Sequence, residues 1–220
     1  MVSEPSIRDI LRHLPPFATD LPDFDTDAAP ADPLELFGSW LAEAVRVGVA
    51  QPHAMVLSTA GMDATPTART LLLKDVTAEG LWFASVGDSP KGREIAANPS
   101  VALTFYWREQ GRQVRVTGEA NIGPRAVAEL DFLARHPTAR ANVIAGRQSE
   151  PMPEEADVQR AVGAARELVA QHPETVPDDW NAYLVRPETV EFWQASRERD
   201  QVRLRYSRTA ESWATAVLWP

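Results

Sequence analysis

The chain has 220 residues, 44% of them hydrophobic, with a formal net charge of −9 and no cysteine. That length and apolar content fit one large globular domain. The acidic balance argues against broad nucleic-acid binding, which needs a basic face. The lack of cysteine excludes disulfide scaffolds, thiolate metal sites and cysteine nucleophiles, and it favours the cytoplasm. No apolar run approaches the roughly 18 residues of a membrane span. The opening MVSEPSIRDILRHLPP carries early acids and prolines and does not read as a signal peptide.

Residues 15–33 (PPFATDLPDFDTDAAPADP) are rich in Pro, Asp and Ala. They make residues 1–32 an N-terminal arm, partly extended, ahead of a domain over 33–220. A helix starts at Asp32, with Pro33 suited to the first turn and Glu35 three residues after the cap. Leu34, Phe37, Leu41 and Ala44 follow at helical spacing. Strand-like runs come next: AMVLSTA, TARTLLLKD, LWFASV, VALTFYW and RQVRVTGEA, punctuated by turn signals. A short helix, SPKGREIAANP, interrupts them, capped by Ser89 and stopped at Asn98-Pro99.

After Gly123 the pattern turns helical. PRAVAELDFLARHP places Val127, Leu130 and Leu133 on one face, and EEADVQRAVGAARELVAQH aligns Val158, Val162, Ala165 and Val169. Two strands, AYLVRPETVEFWQ and VRLRYSR, close the pattern before ESWATAVLWP. This order predicts a mainly β chain with α (α+β): an antiparallel sheet or closed barrel with helices outside.

Three basic clusters stand out in this acidic chain. Arg69 and Lys74 bracket TLLL; five residues apart on one strand they face opposite ways, unless a bulge or strand end intervenes. They are either two ends of a buried strand reaching solvent or a pair aimed at one ligand. Ser89-Pro90-Lys91 opens a helix, where free N–H groups and the positive dipole end favour an anion. For Lys91 alone, a solvated lysine is the simpler reading. The stretch FWQASRERDQVRLRY holds four arginines in fifteen residues. Arg203 and Arg205 share one face there, opposite Val202, Leu204 and Tyr206, and bare alternation gives a solvated face. The four histidines lack metal-ligand spacing, so no metal site is expected. No strand-linked GxGxxG, P-loop or GxSxG elbow is present, which argues against dinucleotide, P-loop and α/β-hydrolase folds.

The segments ARTLLLK (68–74), SPKGREIAANP (89–99), FYWREQGRQVRVTGEA (105–120), RQS (147–149), EFWQ (191–194) and the terminal WATAVLWP (213–220) occur in one order. Together they resemble the pyridoxamine 5'-phosphate oxidase family of FMN-dependent oxidases, from about Pro33 to Pro220. The resemblance implies an FMN-binding split β-barrel with peripheral helices, working as a homodimer with FMN sites at the interface. It also implies that Arg69, Lys74 and Lys91 hold FMN. Thr70, Leu71, Leu72, Ala84 and Ser85 would line the site, with Gln113 touching the flavin. Gln148, Ser149, Trp193 and Arg203 would come from the partner subunit. One departure is Pro90, where an arginine is common.

On the substrate side, family members that make pyridoxal 5'-phosphate grip the substrate phosphate with Lys, Tyr, Arg and Ser. Lys74, Asp131, Arg135 and Ala139 match those positions. The family's RLHDR stretch matches residues 199–203, keeping Arg199 and replacing histidine by Gln201. The resemblance therefore makes Arg199 and Gln201 the candidates for contacting the reacting substrate, with Arg135 and Lys74 attracting an acidic group such as a carboxylate. The local text YWRE, KGRE, RQSE and AARELV is similar to the branch that oxidises dihydrophenazine intermediates, although that branch usually keeps the histidine.

The function expected is an FMN-dependent oxidase of a reduced nitrogen-containing small molecule in specialised metabolism, with O2 as acceptor. The alternatives are a pyridoxamine/pyridoxine 5'-phosphate oxidase and a flavin-binding protein without turnover.

Overall fold

The computed structural model describes residues 6–14, 21–152, 154–196 and 200–220. Among these, nine strands form one antiparallel sheet. In chain order they are Ala54–Ala60 (β1), Pro66–Leu72 (β2), Asp75–Thr77 (β3), Gly80–Val86 (β4), Ser100–Trp107 (β5), Arg112–Ile122 (β6), Trp180–Gln194 (β7), Val202–Arg208 (β8) and Trp213–Val217 (β9). The sheet order is β2-β1-β5-β6-β7-β4-β3, and β8 also pairs with β7 and carries β9.

One long strand organises this layout. The first half of β7, Trp180–Val185, pairs with β4, while its second half, Thr189–Gln194, pairs with β8. The other edge of β7 runs along β6, past a register shift at Thr117/Gly118. The sheet also curls. In a flat sheet five interstrand spacings, about 24 Å, would separate β2 from β4. Yet β2 runs into β3 through Leu73 and Lys74, and the Lys74 N–H donates to the Trp82 carbonyl at 2.8 Å. The result is a curled half-barrel with a seam where the two ends of the sheet meet.

Helix Pro33–Arg46 (α2) covers the barrel core. Asp32 caps it, its side chain accepting from the Leu34 N–H at 2.8 Å. Phe37 meets Phe105 edge-on at 4.8 Å, and Trp40 meets Phe192 at 5.1 Å. Such pairs add about 0.5–1.5 kcal/mol beyond the area they bury. Phe37, Leu57, Leu103, Phe105, Val114, Phe192 and Tyr206 are fully buried in this core.

The N-terminal arm includes a short helix, Ile7–Arg12 (α1), capped by Ser6 and exposed throughout. The arm reading also covers residues 15–20, which lie outside the described residues. Residues 21–32 have no regular structure but pack on the core. Phe24 meets Trp40 edge-on at 4.9 Å, and the Tyr206 hydroxyl donates to the Pro30 carbonyl at 2.8 Å.

Helix Pro90–Ala97 (α3) is capped by Ser89, as the sequence predicts. The stretch after Gly123 forms two helices, Arg125–Ala134 (α4) and Pro137–Ile144 (α5), because Pro137 ends one and suits the first turn of the next. Helix Glu155–Gln171 (α6) buries Ala165 and Val169 against α5.

The shared face of Val127, Leu130 and Leu133 on α4 is not the one buried within the chain. Leu130 is 72% exposed, Val127 and Leu133 are also exposed, and the buried residues are Ala128 and Phe132. Phe132 docks edge-on against Trp180 of β7 at 5.5 Å. The large aromatic contact sets the helix rotation, over a three-residue aliphatic stripe of less bulk. No described helix is long and apolar enough to cross a membrane.

Candidate active site

The seam of the sheet opens as a cleft of about 890 Å³. The ends of β2 and β4 form its floor, the start of α3 one wall, and α5 with the loop to residue 150 another. Ten of the residues singled out from sequence line it. Thr70, Leu71, Leu72, Lys74, Ala84, Ser85, Gln148 and Ser149 come from the predicted cofactor set, and Arg135 and Ala139 from the predicted substrate set.

Lys91, in the first turn of α3, is only 5% exposed and does not itself line the cleft, but it touches Gln148, which does. Its ammonium donates to the Ser89 hydroxyl at 3.0 Å and to the Gln148 amide oxygen at 3.2 Å. No carboxylate pairs with it among the described residues. Burial, together with the charge of Arg69, pushes its pKa down to about 8, against a weaker opposing pull from Glu94. Gly92 lets α3 begin this close to the preceding turn: a Cβ there would lie 2.1 Å from the Gly87 carbonyl oxygen.

Gln148 was expected from a partner subunit, yet within one chain it already reaches Lys91. The loop achieves this with positive φ at Arg147 (63°) and Ser149 (70°). Such angles are uncommon for non-glycine residues and concentrate at functional sites.

Arg69 does not line the cleft. Its guanidinium donates to the Thr59 and Thr67 hydroxyls, both at 2.5 Å, and lies 3.4 Å from Glu94. Glu94 also accepts from Thr59 and Thr67. The Thr59 hydrogen bond leads the effects that hold its carboxyl below the usual range, against a smaller upward push from burial. Sequence reasoning missed Glu94. It sits three residues after Lys91 in KGRE, but nothing local shows that β1 and β2 bring two threonines to it.

Lys74 lies beyond the end of β2, so the two-faces problem with Arg69 does not arise. Its ammonium sits 3.1 Å from Asp131. Asp131 lines a shallower neighbouring depression with Lys74, Val127 and Leu130.

The remaining predicted residues stand elsewhere. Gln113, Trp193 and Arg203 face one another in cross-strand register on β6, β7 and β8. The Trp193 indole N–H donates to Gln201 at 2.8 Å. Arg203 is paired with Glu191 at 2.8 Å, and Glu191 also takes Arg115 at 2.8 Å. Burial pushes the Glu191 carboxyl up, but the two arginines outweigh it and hold it low. Arg199 lies outside the described residues. From Ala182, the register partner of Ala84, to Trp193 is eleven residues of β7. At about 3.3 Å each that is roughly 36 Å of strand, longer than a flavin mononucleotide. None of Gln113, Trp193 and Arg203 lines the cleft of the same chain.

The cleft has the chemistry of a phosphate-ester site. A buried ammonium without a carboxylate partner sits at the positive end of a helix, next to hydroxyl and amide groups. A phosphate there would relieve the desolvation that now depresses Lys91.

Fold and cleft define the class: an antiparallel split barrel with a cleft at its seam. Residues 41–194 match the family model "Pyridoxamine 5'-phosphate oxidase", and residues 180–220 match its "Pyridoxine 5'-phosphate oxidase C-terminal dimerisation region". The chain belongs to the pyridoxamine 5'-phosphate oxidase family. A pyridoxine/pyridoxamine 5'-phosphate oxidase of Rubrobacter xylanophilus is 40% identical over 88% of this chain and 89% of its own length. A dihydrophenazinedicarboxylate synthase of Pseudomonas chlororaphis is 37% identical over 91% of this chain and 90% of its own. The crystal structure of PhzG from Burkholderia lata 383 with tetrahydrophenazine-1-carboxylic acid superposes with a TM-score of 0.86. It is 27% identical and covers 91% of this chain and 99% of that one. These relatives make the chain an oxidoreductase of the split-barrel type that carries the family's dimerisation region.

Proposed function

We propose that the protein is an FMN-dependent oxidase of a reduced, nitrogen-containing aromatic substrate of the dihydrophenazine type, acting as a homodimer with two shared sites. The observation that carries this reading is Lys91, a buried cation in contact with the cleft residue Gln148 and, among the described residues, with no carboxylate partner. In water-poor surroundings such a group is costly unless an anion completes it. The FMN phosphate, a dianion above its second pKa of about 6, supplies that anion.

Lys91, Ser89 and the start of α3 would hold the phosphate. Thr70–Leu72 and Ala84–Ser85 would wall the flavin ring. The Gln113, Trp193 and Arg203 row of a second copy would close the site, since that row lies off this chain's own cleft. When bound, the flavin accepts a hydride from the substrate and passes both electrons to O2, releasing hydrogen peroxide. Gln201 has a defined polarity in this arrangement. An indole N–H can only donate, so the atom it meets is the amide oxygen, and the amide N–H2 is left to donate to substrate.

The relative from Pseudomonas chlororaphis and the ligand of the Burkholderia lata protein both support a phenazine-type substrate. The Rubrobacter xylanophilus relative favours a second reading, oxidation of pyridoxamine or pyridoxine 5'-phosphate. Purified protein reconstituted with FMN should bind one flavin per chain and consume O2 with a dihydrophenazine carboxylate. It should turn over pyridoxamine 5'-phosphate weakly or not at all. Folded protein that takes up no FMN would refute the flavin site, and rapid turnover of the phosphate ester would favour the second reading.

A further inference from the structure

At the α4 end of the cleft both oxygens of the Asp131 carboxylate are engaged. One lies 3.1 Å from the Lys74 ammonium, and the other accepts from the Trp180 indole N–H at 3.2 Å. The Trp180 ring carries the Arg135 guanidinium at 4.6 Å from its centroid. Among the described residues Arg135 forms no ion pair, and its Nε is buried without a partner. Lys74, Arg135, Ala139 and Trp180 all line the cleft.

We propose that Asp131 determines substrate charge: by neutralising Lys74 it leaves Arg135 as the unpaired cation at this end of the cleft, and the subsite selects a monoanionic carboxylate over a phosphate dianion. The inference rests on reading the cleft as the substrate site and deepens that reading to a charge class. Lys74, Asp131 and Arg135 together carry one net positive charge, enough for one carboxylate. Each further negative charge on a ligand meets Asp131 as repulsion. A planar carboxylate also matches the guanidinium fork in two parallel hydrogen bonds. Ala139 offers no hydroxyl to a third phosphate oxygen. Elsewhere in the cleft Asp88, Glu150 and Asp179 are balanced in part by Arg93, which pairs with Asp88 at 2.9 Å, and by Arg147.

The test is equilibrium dialysis of the wild type and of Asp131→Asn against two probes, phenazine-1-carboxylate and pyridoxine 5'-phosphate, above the second phosphate pKa of about 6. The wild type should bind the carboxylate more tightly. Asp131→Asn should move the ratio of the two dissociation constants toward the phosphate ester by about tenfold, the order expected for one removed charge in a half-exposed site. An unchanged ratio in a folded variant overturns the proposal. So does a wild type that binds both probes equally, or neither.

Lys74→Gln keeps the test alive should Asp131→Asn not fold. With Asp131 unpaired, the phosphate ester should weaken by a larger factor than the carboxylate, and equal weakening counts against Asp131 as the selector. Dialysis reads binding and not turnover. A protein that takes up no FMN would therefore defeat the oxidase reading while the ratio still judges Asp131.

Discussion

Lys91 and Lys74 stand in opposite surroundings: Lys74 lines the cleft, whereas Lys91 is buried against Gln148, a residue of its wall. Lys91 is 5% exposed and meets only neutral oxygens, and burial pushes its pKa down to about 8. The Lys74 side chain is 33% exposed and has a carboxylate 3.1 Å away. A buried cation without a partner costs stability, and a fold keeps one where an anion completes it. A paired, half-exposed cation carries no such cost and exerts little net field. On the proposed reading the α3 end takes the permanent dianion of FMN, and the α4 end an exchangeable ligand of lower charge.

This contrast breaks most readily at Lys91. Lys91→Ala should raise the FMN dissociation constant about 10- to 100-fold, matching the roughly 1.5–3 kcal/mol of a hydrogen bond to a charged group. The same change should leave the thermal midpoint of the FMN-free protein unchanged or higher, because a buried charge is removed. Fluorescence titration and a melting curve read the two effects separately, and a large loss of stability with unchanged affinity would reverse the assignment.

The pH dependence sharpens the same point. Below about 8, Lys91 is charged in both folded and unfolded chains. Between about 8 and its ordinary value of 10.5 the folded chain has released a proton that the unfolded chain still binds. Stability of the FMN-free protein from this residue should therefore rise with pH across that window. FMN affinity should move the other way, falling by up to about tenfold per unit above pH 8 as the ammonium is lost. A flat affinity profile from pH 7 to 10 would show that Lys91 does not meet the phosphate.

The smallest effect should come from the paired lysine. Lys74→Gln should change FMN affinity by roughly fivefold or less, the range of a partly exposed ion pair. An effect equal to that of Lys91→Ala would erase the distinction between the two ends.

Much of this was legible in the sequence. The Ser89 cap, most of the strands in their succession along the chain, and the family motifs required only local patterns. Lys91 could be seen as an oddity at a helix start, but its burial could not, because the Gln148 contact spans 57 residues. The rotation of α4 could not be read, because the aliphatic stripe of Val127, Leu130 and Leu133 is as regular as a buried one. What decides it is Trp180, on a strand beyond two intervening helices. The pairing of Lys74 with Asp131 was likewise not visible. It depends on the link after β2 meeting α4, which no local pattern displays. Glu94 and its two threonines escaped notice for the same reason.

The central claim is that the α3 start of one chain and the β7–β8 row of another complete one FMN site. Lys91→Ala and Arg203→Ala chains, each weak for FMN alone, should be unfolded together, refolded and titrated with FMN. A tight site should reappear in mixed dimers, one per dimer, because each contains one unaltered Lys91 facing one unaltered Arg203. A mixture as weak as its parents, or wild-type protein that holds FMN as a monomer by light scattering, would contradict the shared site.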